Sequence, residues 1–254
     1  KDLNKRSLTA APGAVSSRSL FKNVKTEPQS IKATEAKHSD PKPDTGGLND
    51  LIKKSAGVKR GKSKLVAVAC STGGPKSLQQ VIPMLPANLD AGVVLVQHMP
   101  KGFTASLASR LNSLGSIKVS EAVDGELIEK GHVYIAPGGM HIKVEKTSGG
   151  HIIKYSDEPP RDALKPCANI MYESLKDSDF DEITCVVLTG MGADGTKGIK
   201  ALADAHRNIH VIGQDAESCV VYGMPRSVAE AGLVDEVRPL EQIAESIIKN
   251  VGVL

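Results

Sequence analysis

Three side chains in this sequence are of the types that together can attack a carbonyl: Ser71, His98 and Asp194. A serine hydroxyl is too weak an acid to attack at neutral pH unless a neutral imidazole within hydrogen-bond reach takes its proton. A carboxylate that accepts the imidazole's other N–H fixes the tautomer and stabilises the imidazolium formed during attack. The three lie far apart in the chain, but their surroundings match: each follows a short apolar run and stands in or before a Gly- or Pro-containing turn.

Ser71 sits in ACSTGGP, residues 69–75, with small residues two before (Ala69) and two after (Gly73). That approaches the small-x-Ser-x-Gly pattern of a nucleophile turn, with alanine in place of the usual first glycine. Pro75 suits the first turn of a following helix, where a missing N–H costs nothing. Two plainer readings stay open for this turn: Ser71 or Thr72 caps the helix, or the glycine-rich backbone holds a phosphate. For His98, in QHMP at 97–100, the lesser alternative is a structural histidine satisfied by backbone groups, and for Asp194, in the turn before a helix, a simple helix cap. Cys70 beside Ser71 is a rival nucleophile, but the last residue of an alternating strand should point away from Ser71 and pack as a small apolar group. Each assignment alone is weak; three at matching strand ends make a joint signal.

The elements that must position them are legible as alternation. The runs 65–69 (LVAVA), 93–96 (VVLV), 133–136 (VYIA), 185–188 (CVVL) and 209–212 (IHVI) are short, β-branched and apolar at consecutive positions, the signature of strands covered on both faces. Helical spacing occupies 75–85, 103–114, 167–175, 198–205, 227–231 and 240–251. The expected fold is therefore α/β: a doubly wound, mostly parallel sheet with helices on both faces and right-handed crossovers. Residues 133–155 break the rhythm, with Pro137-Gly138-Gly139 and Ser148-Gly149-Gly150 separating three strand-like runs, which reads as an antiparallel hairpin region at one edge. Ligands of such sheets bind beyond the carboxyl ends of the strands, where all three candidate residues fall.

Charge divides the chain. Residues 1–62 hold 14 Lys/Arg against 6 Asp/Glu, a net +8, whereas residues 63–254 hold 18 against 23, a net −5. The first stretch has one aromatic residue, Phe21, and no sustained period of 2 or 3.6, and reads as a flexible basic linker; residues 63–254 read as the catalytic domain. Its charges are dispersed and it offers no aromatic series for base stacking, so nucleic acid is not expected as a partner. No apolar stretch approaches the ~18 residues of a membrane span. Four scattered cysteines without CxxC spacing argue against a disulfide framework or zinc and for a reducing, cytoplasmic location. His206 and His210 should not share a face, since one closes a helix and the other lies in a strand, so no metal is expected; His141 reads as surface near the Pro-Gly-Gly turn, with lining the cleft as the alternative.

ACSTGGP at 69–75, QHMP at 97–100, APGGMH at 136–141, LTGMGADG at 188–195 and VVYGMPR at 220–226 closely resemble the catalytic domain of the bacterial chemotaxis methylesterases (protein-glutamate methylesterase/protein-glutamine glutaminase). The resemblance covers residues 64 to about 250. It implies a Ser71–His98–Asp194 triad, a Met191 backbone N–H in the oxyanion hole, no cofactor, and ester hydrolysis and glutamine deamidation on the cytoplasmic helices of methyl-accepting chemoreceptors. Such proteins usually carry a phosphorylatable receiver domain before the linker. None is recognisable before Lys64, so an excised effector region is expected. Two departures stand out: Cys70 where a small residue such as Ala is usual, and KPCAN at 165–169 where RPSVD-like sequence is typical, which puts Asn169 in place of an acid near the expected substrate face. A nucleotide-binding module and a non-catalytic receptor-tethering module remain the rival classes; GxGxxG and Walker lysine patterns are missing.

Overall fold

The computed structural model describes residues 62–205 and 208–254. The basic segment expected as a linker lies, apart from Lys62, outside the described residues, and so does His206.

Seven strands form one parallel sheet: β1 (Lys64–Cys70), β2 (Gly92–Gln97), β3 (Lys118–Glu121), β4 (His132–Ile135), β7 (Glu182–Val187), β8 (Ile209–Gln214) and β9 (Glu236–Arg238), in the order β3-β4-β2-β1-β7-β8-β9. β5 (His141–Thr147) and β6 (Gly150–Ser156) pair antiparallel as a separate two-stranded sheet. Among the described residues, six α-helices occur in chain order: α1 (Gly74–Val81), α2 (Phe103–Asn112), α3 (Ala168–Ser174), α4 (Thr196–Ala205), α5 (Met224–Glu230) and α6 (Ile243–Val251).

The apolar runs are buried on both faces because alternate residues feed two cores. On β1, Val66, Val68 and Cys70 join Leu78 of α1, Leu107 of α2 and Ile247 of α6, while Leu65, Ala67 and Ala69 join Tyr172 of α3, Leu202 of α4 and Val228 of α5. At about 1.5–3 kcal/mol for each fully buried large aliphatic side chain, this double burial dominates the stability of the sheet. The doubly wound α/β arrangement is the one the alternation predicts. Of the three runs read as hairpin strands, the first is β4, a member of the parallel sheet between β3 and β2; only the other two form the hairpin.

The chain runs from β1 to its neighbour β2, on to the edge strand β3, back to β4 between β3 and β2, and then crosses to the other side of β1 for β7, β8 and β9. Its direction reverses beside β1, so the loops after β2, β1 and β7 are neighbours at one sheet end, where a crevice forms. No helix among the described residues is long and apolar enough to cross a membrane.

Candidate active site

Ser71 leaves β1 tied to the loop that follows the neighbouring β7, its N–H donating to Thr189 O at 3.0 Å. The chain then turns through Gly73, whose φ of +86° only glycine adopts without strain, and Pro75 lies in the first turn of α1. Gly73 is the residue capping α1, with no side-chain hydrogen bond to the cap, so neither Ser71 nor Thr72 serves as the cap. Among the described residues no hydrogen bond engages the Ser71 hydroxyl. The turn also lacks the strained serine of a nucleophile elbow: the only non-glycine residues with positive φ among the described residues are Asp162 and Ala163.

His98 follows β2 directly, its N–H held by Cys70 O at 3.1 Å. Its ring Nε2 lies 2.7 Å from Asp194 Oδ2, and the two side chains are 9% and 4% exposed. An ionised carboxylate only accepts, so Nε2 carries a proton, and in the neutral ring the lone pair then falls to Nδ1. Nδ1 makes no hydrogen bond to any described residue. Ser71 and His98 line the same cleft of about 350 Å³, with Thr72, Gly73, Met99, Pro100 and Phe103 around them. No hydrogen bond joins Ser71 to His98.

Asp194 lies in the loop between β7 and α4 and is held from several sides. Its Oδ2 accepts from His98 and from Ala168 N (2.6 Å); its Oδ1 accepts from Asn169 N (2.9 Å), Gly195 N (3.0 Å) and Cys167 Sγ (3.1 Å). Burial alone would push this carboxyl up; the hydrogen bonds from His98, Ala168, Asn169 and Cys167 outweigh it and hold the carboxyl below its usual range. Asp194 is thus a carboxylate at neutral pH, anchored by the first residues of α3, with Oδ2 shared between Ala168 N and the His98 ring.

Several of these partners escaped the sequence reading. Gln97 is 2% exposed, and its amide donates to both Ser71 O and His98 O at 3.0 Å, lashing the two loops together. Its Oε1 accepts the Cys70 thiol at 3.1 Å, which places Cys70 in the core facing away from the cleft. The QHMP motif contained Gln97, but an amide at a strand end has no signature of its own. Asn169, expected near the substrate face, bonds Asp194 through its backbone N–H, and its side chain is directed inward. It is 2% exposed, and its Oδ1 accepts Gly195 N (3.0 Å) and Gly198 N (2.8 Å), fastening the Asp194 loop to α3. His141, expected at the surface, is fully buried: Nδ1 accepts Cys167 N–H at 3.1 Å and Nε2 donates to Pro159 O at 3.2 Å. The hairpin folds inward onto α3, which short-range alternation could not reveal.

Met191 is 72% exposed in the turn after β7, and its N–H donates to no described residue. Next to it, Gly190 O accepts Gly223 N and Met224 N at 3.1 and 2.8 Å. A Cβ on Gly190 would stand 2.9 Å from Ser71 Cβ and 2.3 Å from Met224 Sδ, so glycine is required for the close approach of this turn to Ser71.

Comparison with known proteins gives concordant likenesses. The family model described as CheB methylesterase matches residues 66–247. The protein-glutamate methylesterase/protein-glutamine glutaminase of Desulfotalea psychrophila is 46% identical over 196 residues, 76% of this chain and 53% of that protein. The Bacillus subtilis protein of the same name is 42% identical over 248 residues, 97% of this chain and 64% of that one. The chain therefore spans between half and two thirds of the length of these relatives. The crystal structure of the Thermotoga maritima CheB methylesterase catalytic domain superposes with a TM-score of 0.71 at 40% identity, covering 74% of this chain and 99% of that one.

Proposed function

The chain belongs to the CheB methylesterase family, and on that premise we propose that it hydrolyses glutamate methyl esters on cytoplasmic chemoreceptor helices and deamidates selected glutamines there. The observation that carries this reading is the 2.7 Å bond from His98 Nε2 to Asp194 Oδ2, which assigns the lone pair of the neutral ring to Nδ1, in a histidine that lines the cleft with Ser71.

In the proposed reaction Ser71 Oγ attacks the side-chain ester carbonyl while His98 Nδ1 takes its proton. Asp194 stabilises the imidazolium through Nε2–H. The Met191 N–H stabilises the tetrahedral oxyanion, a contribution of about 3 kcal/mol per donor at comparable sites. Collapse transfers the proton from Nδ1 to the methoxy oxygen, methanol leaves, and an acyl ester to Ser71 remains. Water, deprotonated by His98, then cleaves that ester, freeing the glutamate carboxylate and restoring the serine. With a glutamine side chain the first leaving group is ammonia. The proposed site of action is the cytoplasm, where those receptor helices lie, and in longer relatives a receiver domain is the proposed regulatory partner.

Purified protein added to receptor cytoplasmic fragments bearing isotopically labelled methyl esters should release labelled methanol, and an activated serine-directed ester probe should label Ser71. Stabilisation by nucleotides with neither methanol nor labelling would replace this reading by the phosphate-turn one. Within the same assay, Gly190→Ala should cost about 1–3 kcal/mol of stability through overpacking and lower kcat by about 10- to 100-fold, because the added methyl displaces Ser71. A wild-type kcat at a wild-type melting temperature would show that the turn tolerates the methyl.

A further inference from the structure

We propose that Cys167 is a positioning residue for the His98–Asp194 pair: its thiol, donated to Asp194 Oδ1, sets how much negative charge Oδ2 presents to the imidazole. The inference rests on the esterase reading for its kinetic consequence, but not for its spectroscopic one.

Cys167 is 1% exposed and fixed from two directions. Its backbone N–H donates to Nδ1 of the buried His141, whose own Nε2–H is committed to Pro159 O, so the histidine is a neutral acceptor of fixed tautomer. Its Sγ lies 3.1 Å from Asp194 Oδ1. Burial, followed by the nearby Asp194 charge, pushes the thiol up to about 12, so at working pH it is S–H and can only donate. The other two donors to Oδ1 are backbone N–H groups. Cys167 is accordingly the one side chain that tunes this oxygen.

A thiol is a weak donor, a hydroxyl a stronger one, and a methyl group none. The charge left on the carboxylate should therefore fall in the order Cys167→Ala, wild type, Cys167→Ser. More charge on Oδ2 holds the imidazolium more firmly, so the base form of His98 appears at higher pH. Of the other ionisable groups, Tyr172 on α3 feels the Asp194 charge, and Lys165, Glu158 and Arg161 act on His141, with Arg161 acting on Cys167 as well; none is altered by the substitutions.

The test is a three-way comparison. In proton NMR, the downfield resonance of the His98 Nε2–H should move further downfield in Cys167→Ala and upfield in Cys167→Ser. The acid limb of kcat/KM for methanol release should move to higher pH by about half a unit in the first variant and to lower pH by a few tenths in the second. A purely structural cysteine would lower activity uniformly across pH, with both limbs in place, and that result overturns the proposal. An Nε2–H resonance indifferent to both substitutions overturns it whether or not the protein is an esterase. A resonance that moves as expected in a protein that releases no methanol supports the positioning role and refutes the esterase reading instead.

Discussion

Ser71→Ala should lower methanol release by about 10⁴- to 10⁶-fold, the range seen when a triad serine is lost and only binding and oxyanion contacts remain. The fold should not notice. The Ser71 hydroxyl makes no hydrogen bond among the described residues, so its removal orphans no buried partner. The backbone that fixes the turn, Ser71 N to Thr189 O and Gly74 N to Ser71 O, is untouched. Stability should stay within about 0.5 kcal/mol of wild type, as for substitutions that disturb no packed or paired group. The measurement is release of labelled methanol alongside thermal unfolding, with loss of covalent probe labelling as the control for the nucleophile. Undiminished release from a folded Ser71→Ala protein would remove the nucleophile from the mechanism, and Cys70, buried with its thiol bonded to Gln97, could not replace it.

Asp194→Asn should lower kcat by about 10³- to 10⁴-fold, through the tautomer of His98. An amide nitrogen at the Oδ2 position would donate to Nε2, forcing the imidazole proton onto Nδ1. The nitrogen meant to accept the serine proton would then already carry one. Stability suffers as well, because both oxygens of Asp194 face backbone donors: Ala168 N on one, Asn169 N and Gly195 N on the other. Whichever way the amide turns, an N–H faces an N–H, at a cost of about 1–3 kcal/mol. The pH dependence follows from the sign of the Asp194 shift. Its carboxyl is depressed in the folded state, so its stabilisation is complete above the unfolded value near ~4 and disappears as pH falls through the lower folded value. The stability gap between wild type and Asp194→Asn should thus be open at pH 7 and narrow in strong acid. A gap that is constant with pH, or a kcat near wild type, would show that Asp194 does not orient the base.

The parts of this architecture that could be read locally are those whose cause is local. A strand covered on both faces must be apolar at consecutive positions, so β1, β2, β4, β7 and β8 announce themselves as runs. β3 and β9 do not. They are short strands at the two edges of the sheet; β3 buries Val119 alone, and β9 buries none of its three residues, leaving no periodic signal. The same limit explains the hairpin: alternation marked its strands, but the first run of that region belongs to the parallel sheet, a pairing with β2 and β3 that local pattern cannot express.

Read alone, the chain determined the α/β class, the strand ends at which Ser71, His98 and Asp194 stand, and the likeness to the methylesterases. All of these are written in residue type and short spacing. Only the tertiary structure decided that β2, β1 and β7 are adjacent, that Asp194 faces Nε2 of His98, and that Cys167, Asn169 and His141 close beneath the acid. Those contacts join residues 25 to 96 positions apart, brought together by burial of two cores against one sheet. Which hydrogen-bonding partner a buried polar group finds depends on how the helices and the hairpin pack, and no single segment carries that information.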